Sequence, residues 1–339
     1  MMIRQSLIHC LSGCLILLFP SVPFAQESET DAPDDSRVAS ELTPSIENAE
    51  EEPAYDPVLD AIQVEAWRDY RLSPIDRRIA LESASKDNPF ALTPHRPSYL
   101  LPITYNTSVD GTPFRQGGGG DLSGDNVDKL EAKFQLSLKT ILWDEILGHD
   151  LDLAFAYTQQ SYWQLYNSQA SRPFRETVHE PELFLRWLTD AEVFGWHYRL
   201  LHAGISHQSN GKGEPLSRSW NRLFLDLGFE RDNLVVSLRT WYRLPEDEEK
   251  DDNPDIHKYL GYGEFRLYYY LEEQEFSVML RNNLDDDQNR GAVQLEWSFP
   301  LYKKLRGYVQ YFNGYGESMI DYNDSTNRLG LGVMLINWM

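Results

Sequence analysis

Between about residues 98 and 337, large apolar side chains recur at every second position in roughly twelve runs of about ten residues each. The stretch 129–138 is typical, because its even-numbered residues are apolar and its odd-numbered residues are charged or polar. A period of two is that of a β-strand with one apolar and one polar face. No helical pattern separates the runs, so the pattern predicts antiparallel strands joined by turns and loops.

Two architectures fit such a pattern, a soluble β-sandwich and a transmembrane β-barrel. A sandwich buries its apolar faces, whereas a small membrane barrel turns them toward lipid and fills its interior with polar side chains. The polar faces here carry both signs of charge, for example at Lys133, Glu264 and Arg266, as a salt-bridged interior would. We therefore predict an all-β protein in which residues 86–339 form an antiparallel transmembrane β-barrel of about twelve strands.

Tryptophan and tyrosine are frequent near the predicted strand ends. In membrane proteins these residues concentrate at the two membrane–water interfaces and form aromatic girdles. We accordingly expect a girdle position for Tyr162, Trp163, Trp196, Trp220, Trp241, Tyr242 and Tyr259.

The N-terminal segment predicts export. Residues 1–25 combine Arg4 with an apolar run at 15–19 and a cleavage position near Ala25, as in a secretory signal peptide. A lipoprotein cleavage box at Cys14 is the alternative, but the apolar run follows this cysteine instead of preceding it. Residues 26–85 are acidic and poor in large apolar side chains, so we expect a largely disordered leader with one or two short helices interrupted at Pro74.

Charge and cysteine content exclude several kinds of protein. The formal net charge is −22, which argues against nucleic-acid binding because such binding depends on neutralising phosphates. The only two cysteines, Cys10 and Cys14, lie in the signal segment, so the exported chain has no disulfide framework. After residue 25, no apolar run is long enough for a transmembrane helix.

The segment 206–222 concentrates the residue types of a nucleophilic hydrolase. His207 and Ser209 are two residues apart, so both side chains leave the same face of an extended strand. Asn221 stands at the start of the next alternating run. A hydroxyl nucleophile, an imidazole base and an amide that orients the base are the parts of such a site.

Strand parity places these three residues on the outward face of the predicted barrel. His207 and Ser209 share parity with Ile205, and Asn221 shares parity with Leu223. A catalytic group on the outer wall suits a lipid that reaches the protein from within the membrane, with its ester at headgroup depth. The pattern thus indicates an acyl lipid as the substrate.

The same segment, 206–222, closely resembles the signature of the bacterial outer-membrane phospholipase A family. Further stretches similar to that family lie at 157–165, 173–177, 251–256, 314–318 and 320–323. The resemblance covers about residues 86–339. It implies a calcium-dependent enzyme of the Gram-negative outer membrane that hydrolyses acyl esters of phospholipids and lysophospholipids, with phospholipase A1 and A2 activity, and is activated by forming a homodimer.

The resemblance also implies roles for individual residues. Ser209 corresponds to the nucleophile, His207 to the general base and Asn221 to the residue that orients the imidazole. The implied calcium ligands are oxygen donors, as calcium prefers: the backbone carbonyl of Lys212, the hydroxyl of Ser217, the carboxylate of Asp252 and, from the partner subunit, the hydroxyl of Ser171. Which carboxylate of the 246–252 loop approaches the metal is open at this stage. Gln159 corresponds to a residue of the dimer interface.

Two other functions are compatible with the sequence. A barrel of similar ancestry could hydrolyse another acyl lipid, such as lipid A. A barrel without catalysis could instead act as a pore or a structural protein of the outer membrane. The intact set of His207, Ser209 and Asn221 favours an acyl hydrolase over a silent barrel.

Overall fold

The computed structural model describes residues 72–84, 88, 91–109, 111–115, 122–146, 150–303 and 305–336. All of these belong to one compact unit, Asp56–Met339. The expected signal peptide at 1–25, and the part of the expected leader before residue 72, lie outside the described residues. Within the described ranges, no helix has the length and apolar character needed to cross a membrane.

Nearly all of the described chain is β-structure. Three helices are short: α1 (Pro74–Ala84), α2 (Thr112–Arg115) and α3 (His257–Leu260). The strands are β1 (Thr93–Pro94), β2 (Ser98–Asn106), β3 (Leu130–Trp143), β4 (Leu151–Trp163), β5 (Phe174–Val193), β6 (Trp196–Ser209), β7 (Ser219–Arg231), β8 (Leu234–Arg243), β9 (Gly263–Leu271), β10 (Gln274–Asn282), β11 (Gly291–Tyr302), β12 (Leu305–Gly314) and β13 (Thr326–Ile336).

The strands form one closed antiparallel barrel. Each strand from β4 to β12 pairs with the next along the chain, β13 pairs with β2, and β3 lies between β2 and β4. The two-residue strand β1 only extends the pairing along β3, so twelve long strands make the wall. The prediction of an all-β, twelve-stranded antiparallel barrel is confirmed.

The two faces of the wall are inverted relative to a soluble protein. On β3, Leu136 is 45% exposed, whereas Glu131 and Lys133 on the opposite face are each 1% exposed. Phe155, Leu185 and many other large apolar residues are likewise exposed on the outside. A soluble sandwich would hide these side chains, so the inversion excludes that alternative and fits a wall that contacts lipid.

Paired charges fill the interior. The guanidinium of Arg175 lies 3.2 Å from the Glu131 carboxylate and 3.0 Å from that of Asp321. Arg328 lies 2.7 Å from Glu131 and 2.8 Å from Glu317. Such close pairing offsets the large cost of removing these ions from water. The expected salt-bridged interior is therefore present.

The expected aromatic girdle is only partly correct. Tyr162 and Trp220 are 0% exposed and Trp241 is 7% exposed, because their strand parity turns them into the barrel. The Trp220 ring packs against the guanidinium of Arg222, whose carbon lies 4.3 Å from the ring centroid. Of the seven residues expected in the girdle, Tyr242 alone is exposed, at 61%, whereas Trp163, Trp196 and Tyr259 are half-buried. Parity, and not closeness to a strand end, decides which aromatic residues face lipid.

The barrel has a loop end and a short-turn end. At the loop end, strands are joined by longer segments, including 164–173 (β4 to β5), 210–218 (β6 to β7), 244–262 (β8 to β9) and 315–325 (β12 to β13). At the short-turn end, two residues suffice to join β5 to β6 and β7 to β8. The segment 206–222 is therefore at the loop end.

Helix α1 lies inside the barrel near the short-turn end. The helix begins at Pro74, where the missing N–H costs no hydrogen bond, and the Ser73 hydroxyl caps it by accepting the N–H of Asp76 at 3.1 Å. Ile75 packs in an apolar cluster with Leu200 and Val235, whose side chains point inward. Pro74 thus starts a helix, and the prediction that it interrupts one is wrong.

Candidate functional site

The register of the β6–β7 hairpin joins His207 to Asn221. The two residues are directly opposite each other, with both side chains on the outer face. His207 Nδ1 and Asn221 Oδ1 are 2.9 Å apart. Because an amide oxygen only accepts, the ring N–H at Nδ1 is the donor, and Nε2 is left as a base. The structure therefore places the predicted base and its predicted orienting residue in contact.

The amide of Asn221 is itself held by a residue that the sequence analysis did not single out. Its Nδ2 donates to Glu246 Oε1 at 3.1 Å. This contact turns the amide oxygen toward His207. Glu246 belongs to the 246–252 loop, whose acidic residues were considered only as metal ligands.

Ser209 is the last residue of β6 and shares the outer face with His207. It is half-buried, as are His207 and Asn221. Within the described part of the chain, the Ser209 hydroxyl forms no hydrogen bond, so it is not yet joined to the imidazole. Catalytic hydrogen bonds are often completed only when substrate is bound. The three predicted catalytic residues thus form one outward-facing cluster.

Asn210 organises the 210–218 loop beside this cluster. Its Nδ2 donates to Glu176 Oε1 at 3.1 Å and to the Leu216 carbonyl at 2.8 Å. Its Oδ1 accepts the backbone N–H of Lys212 at 3.2 Å and of Arg218 at 3.1 Å. This role was not predicted, although an asparagine at the start of a Gly-containing loop is a typical turn-forming residue.

Two of the four candidate calcium ligands are in contact. Ser217 Oγ lies 2.5 Å from Asp252 Oδ2. Two other acidic residues of the loop are engaged elsewhere, since Asp251 pairs with Arg243 at 2.6 Å and Glu246 holds Asn221. The structure therefore singles out Asp252 as the carboxylate next to Ser217.

The other two candidate ligands, Lys212 and Ser171, lie on two different loops, and Lys212 shares its loop with Ser217. Lys212 is in the 210–218 loop, and its partial burial lowers the pKa of its ammonium group. Ser171 is an exposed residue of the 164–173 loop with φ of 55°, and no hydrogen bond among the described residues joins it to Lys212, Ser217 or Asp252. The described residues contain no group of three or more His, Cys, Asp or Glu suited to a metal ion. Any calcium site here would therefore depend on carbonyl and hydroxyl oxygens beside one carboxylate.

Gln159 lies on the outer wall, between one apolar and one polar neighbour on the adjacent strands. It faces Leu136 on β3 and His179 on β5. Its amide donates to Ser161 Oγ at 3.3 Å, and its oxygen has no hydrogen-bond partner among the described residues. An amide in this position, half-buried on a lipid-facing wall, is costly unless another polar group meets it.

Known proteins resemble the entire barrel. The family model for phospholipase A1 matches residues 75–335. Phospholipase A1 of Klebsiella pneumoniae is 43% identical over 249 residues, which cover 74% of this chain and 84% of the relative. The structure of outer membrane phospholipase A from Escherichia coli is 41% identical with a TM-score of 0.69, and the match covers 75% of this chain and 95% of that chain.

Two further structures bear on the site. The outer membrane phospholipase of Salmonella typhi has been solved as a dimer with bound calcium, and it shows the same identity of 41%, TM-score of 0.69 and coverage of 75% and 95%. The Escherichia coli protein has also been solved as an active-site mutant in which an asparagine is replaced by alanine.

Proposed function

The chain belongs to the phospholipase A1 family, and on this premise we propose that it cleaves phospholipid acyl esters with Ser209, His207 and Asn221 at a calcium-dependent site. It is a phospholipase and a multi-pass β-barrel of the outer membrane. The observation that carries the proposed mechanism is the 2.9 Å hydrogen bond between His207 and Asn221 on the outer face beside Ser209.

Ser209 acts as the nucleophile. Nε2 of His207 takes the hydroxyl proton while Oγ forms a bond to the ester carbonyl carbon, and the carbonyl electrons move onto the oxygen. The tetrahedral intermediate collapses, the glycerol oxygen leaves with the proton from His207, and the acyl group stays on Ser209. The same imidazole then takes a proton from a water molecule while the water oxygen bonds to the acyl carbon. The bond from that carbon to Oγ breaks, the fatty acid leaves, and the proton passes from His207 to Ser209.

Asn221 keeps His207 in the tautomer that this mechanism needs. A neutral amide does so without placing a full charge at a lipid interface, where desolvation of a charge is expensive. The carboxylate of Glu246 accepts a hydrogen bond from Asn221 Nδ2 at 3.1 Å. Its negative charge therefore acts on the imidazole of His207 through the amide of Asn221 and not by direct contact. The active-site mutant of the Escherichia coli relative, in which an asparagine is replaced by alanine, supports this assignment.

Calcium fits the oxygen donors beside Ser209. The backbone carbonyl of Lys212, the hydroxyl of Ser217 and the carboxylate of Asp252 are the donor types that calcium prefers, and the last two are in contact. When bound, the ion would stabilise negative charge on the ester oxygen. The calcium found in the Salmonella typhi relative supports this proposal.

The active form is a homodimer. Gln159, whose amide oxygen is unpaired on the lipid-facing wall, would hydrogen-bond across the interface, and Ser171 of the partner subunit would add a ligand to the calcium site. The dimeric structure of the Salmonella typhi relative supports this arrangement. Dimerisation would thereby couple calcium binding to activity.

The interior argues against an open pore. Ion pairs such as Arg328 with Glu131 at 2.7 Å occupy the loop-end half, and α1 occupies the short-turn end. No observation favours lipid A over a phospholipid, so hydrolysis of a phospholipid is the function that the site supports best.

Fatty-acid release from phospholipid–detergent mixed micelles tests the mechanism. Ser209→Ala is expected to reduce release by several orders of magnitude, because it removes the oxygen that bonds to the ester carbonyl carbon. Ser219→Ala, which removes a hydroxyl from the adjacent strand, serves as the matched control and should retain activity. Full activity of Ser209→Ala would refute the mechanism, and full activity after removal of calcium with a chelator would refute the proposed calcium dependence.

A further inference from the structure

A second histidine lies beside the candidate nucleophile. His179 on β5 is directly opposite Ser209 on β6, and its side chain shares the outer face with Ser209. Side chains paired in this way have Cβ atoms about 5 Å apart, which is within reach of an imidazole ring. Ser209 is therefore flanked by His207 along its own strand and by His179 across the strand pair.

Tyr157 holds the ring of His179 in place. Its hydroxyl lies 2.6 Å from His179 Nδ1, and the two rings are 6.2 Å apart at their centroids. When the phenol donates to Nδ1, the neutral imidazole carries its proton on Nε2. The hydroxyl of Tyr157 makes no other hydrogen bond among the described residues, so nothing competes for its proton.

The free edge of the His179 ring faces the 210–218 loop. A methyl group built on Gly211 would lie 3.7 Å from His179 Cδ2 and 3.8 Å from Nε2. Nε2 itself has no hydrogen-bond partner in the described part of the chain. A ring nitrogen that is held by one partner and left unpaired beside a nucleophile is available to a bound substrate.

We infer that His179 is a substrate-contacting residue that donates a hydrogen bond from Nε2 to the carbonyl oxygen of the phospholipid ester bound at Ser209. The inference deepens the proposed function and rests on it. His179 is level with Ser209 in the strand pairing, at the depth of the ester and not of the headgroup beyond the rim. The bond strengthens as the carbonyl oxygen gains charge, so His179 stabilises the transition state more than bound substrate.

Four variants separate this role from a packing role. His179→Phe removes the donor and keeps a ring, whereas His179→Gln keeps a donor. Tyr157→Phe removes the hydroxyl that orients the imidazole. His197→Phe is the matched control, because His197 is an exposed residue near the short-turn end, away from Ser209, and pairs with Asp190 at 2.9 Å.

The expected result is a loss in kcat without a comparable change in KM. For a monodisperse short-chain phospholipid, His179→Phe should lower kcat by about 100-fold, as removal of one oxyanion donor does. His179→Gln should retain part of the activity, Tyr157→Phe should lower kcat less than His179→Phe, and His197→Phe should match wild type. The folded state of each variant is checked by its gel mobility without heating.

Three outcomes would overturn the inference: wild-type kcat in His179→Phe, a rise in KM alone, or recovery of the lost kcat when the protein concentration is raised. The last would show that His179 acts through dimerisation. An inactive Ser209→Ala together with an unaffected His179→Phe would refute the role of His179 alone. A fully active Ser209→Ala would instead refute the proposed function.

Discussion

At the scale of single residues, two asparagines hold reactive or charged neighbours in place. Asn221 fixes the imidazole of His207 and is itself fixed by Glu246. The buried amide of Asn210 binds the backbone N–H groups of Lys212 and Arg218, near the two ends of the 210–218 loop, and it also donates to Glu176. In both cases an uncharged side chain provides a donor and an acceptor at once.

The contact between Ser217 and Asp252 leads to a prediction for calcium. Asp252→Asn removes the only carboxylate of the candidate ligand set, so the calcium concentration for half-maximal activity should rise by about tenfold or more, in line with the charge dependence of calcium sites. Activity at saturating calcium should fall much less. Calcium titration of fatty-acid release measures both quantities.

Glu249→Gln is the matched control for this titration. Glu249 is an exposed carboxylate of the same loop that contacts neither Ser217 nor Asn221. An equal shift in both variants would mean that calcium responds to the overall charge of the loop and not to Asp252.

At the scale of elements, hairpin register assembles the site. The pairing of β6 with β7 sets His207 against Asn221, and the pairing of β5 with β6 sets His179 against Ser209. A shift of either pairing by one residue would turn one partner of each pair into the barrel. The 210–218 loop, braced by Asn210, helps to maintain this register.

Helix α1 carries a buried carboxylate whose removal should be costly. Glu82 lies 2.7 Å from Lys139, 2.9 Å from Arg78, and also pairs with Arg186. Glu82→Ala should lower the free energy of unfolding by about 3–5 kcal/mol, because it leaves buried cations without their partner. Urea unfolding in lipid vesicles, followed by tryptophan fluorescence, measures the loss.

An acidic residue of the same helix with a more accessible carboxylate provides the comparison. Asp76 pairs with Arg199 where the carboxylate is 40% exposed, so Asp76→Ala should cost about 1 kcal/mol or less. If the two variants were destabilised equally, burial of the Glu82 network would not be the source of its stability.

At the scale of the whole molecule, the wall is apolar outside and charged inside, and one polar strip interrupts the outside. Gln159, His179 and Ser209 follow one another across β4, β5 and β6 by register. The strip therefore joins the candidate dimer contact to the candidate active site. A partner subunit that covers Gln159 would come close to the nucleophile.

Gln159→Ala is expected to weaken dimerisation. Loss of the amide removes a hydrogen bond across the interface, so the yield of crosslinked dimer in detergent with calcium should fall several-fold, and activity should fall with it. Gln274→Ala is the control, because Gln274 accepts from Trp297 at 3.1 Å on a different part of the wall. An active Gln159→Ala enzyme that stays monomeric would contradict the requirement for a dimer.

The sequence by itself determined the strand period, the outward parity of His207, Ser209 and Asn221, and the charged interior, because each depends on residues adjacent along one strand. Parity also assigns Trp220 to the interior, so the mistaken girdle position came from judging aromatic residues by closeness to strand ends. The family resemblance added the roles of the site residues.

Only the tertiary structure decided which residues meet across strands and loops. It brought Glu246 into contact with Asn221 and Asp252 into contact with Ser217. It also set His179 beside Ser209 and α1 inside the barrel. These contacts depend on register, on loop conformation and on closure of the sheet, which are set by interactions between distant parts of the chain. A repeating pattern of two residues cannot specify them, because it is unchanged by a shift of two positions between neighbouring strands.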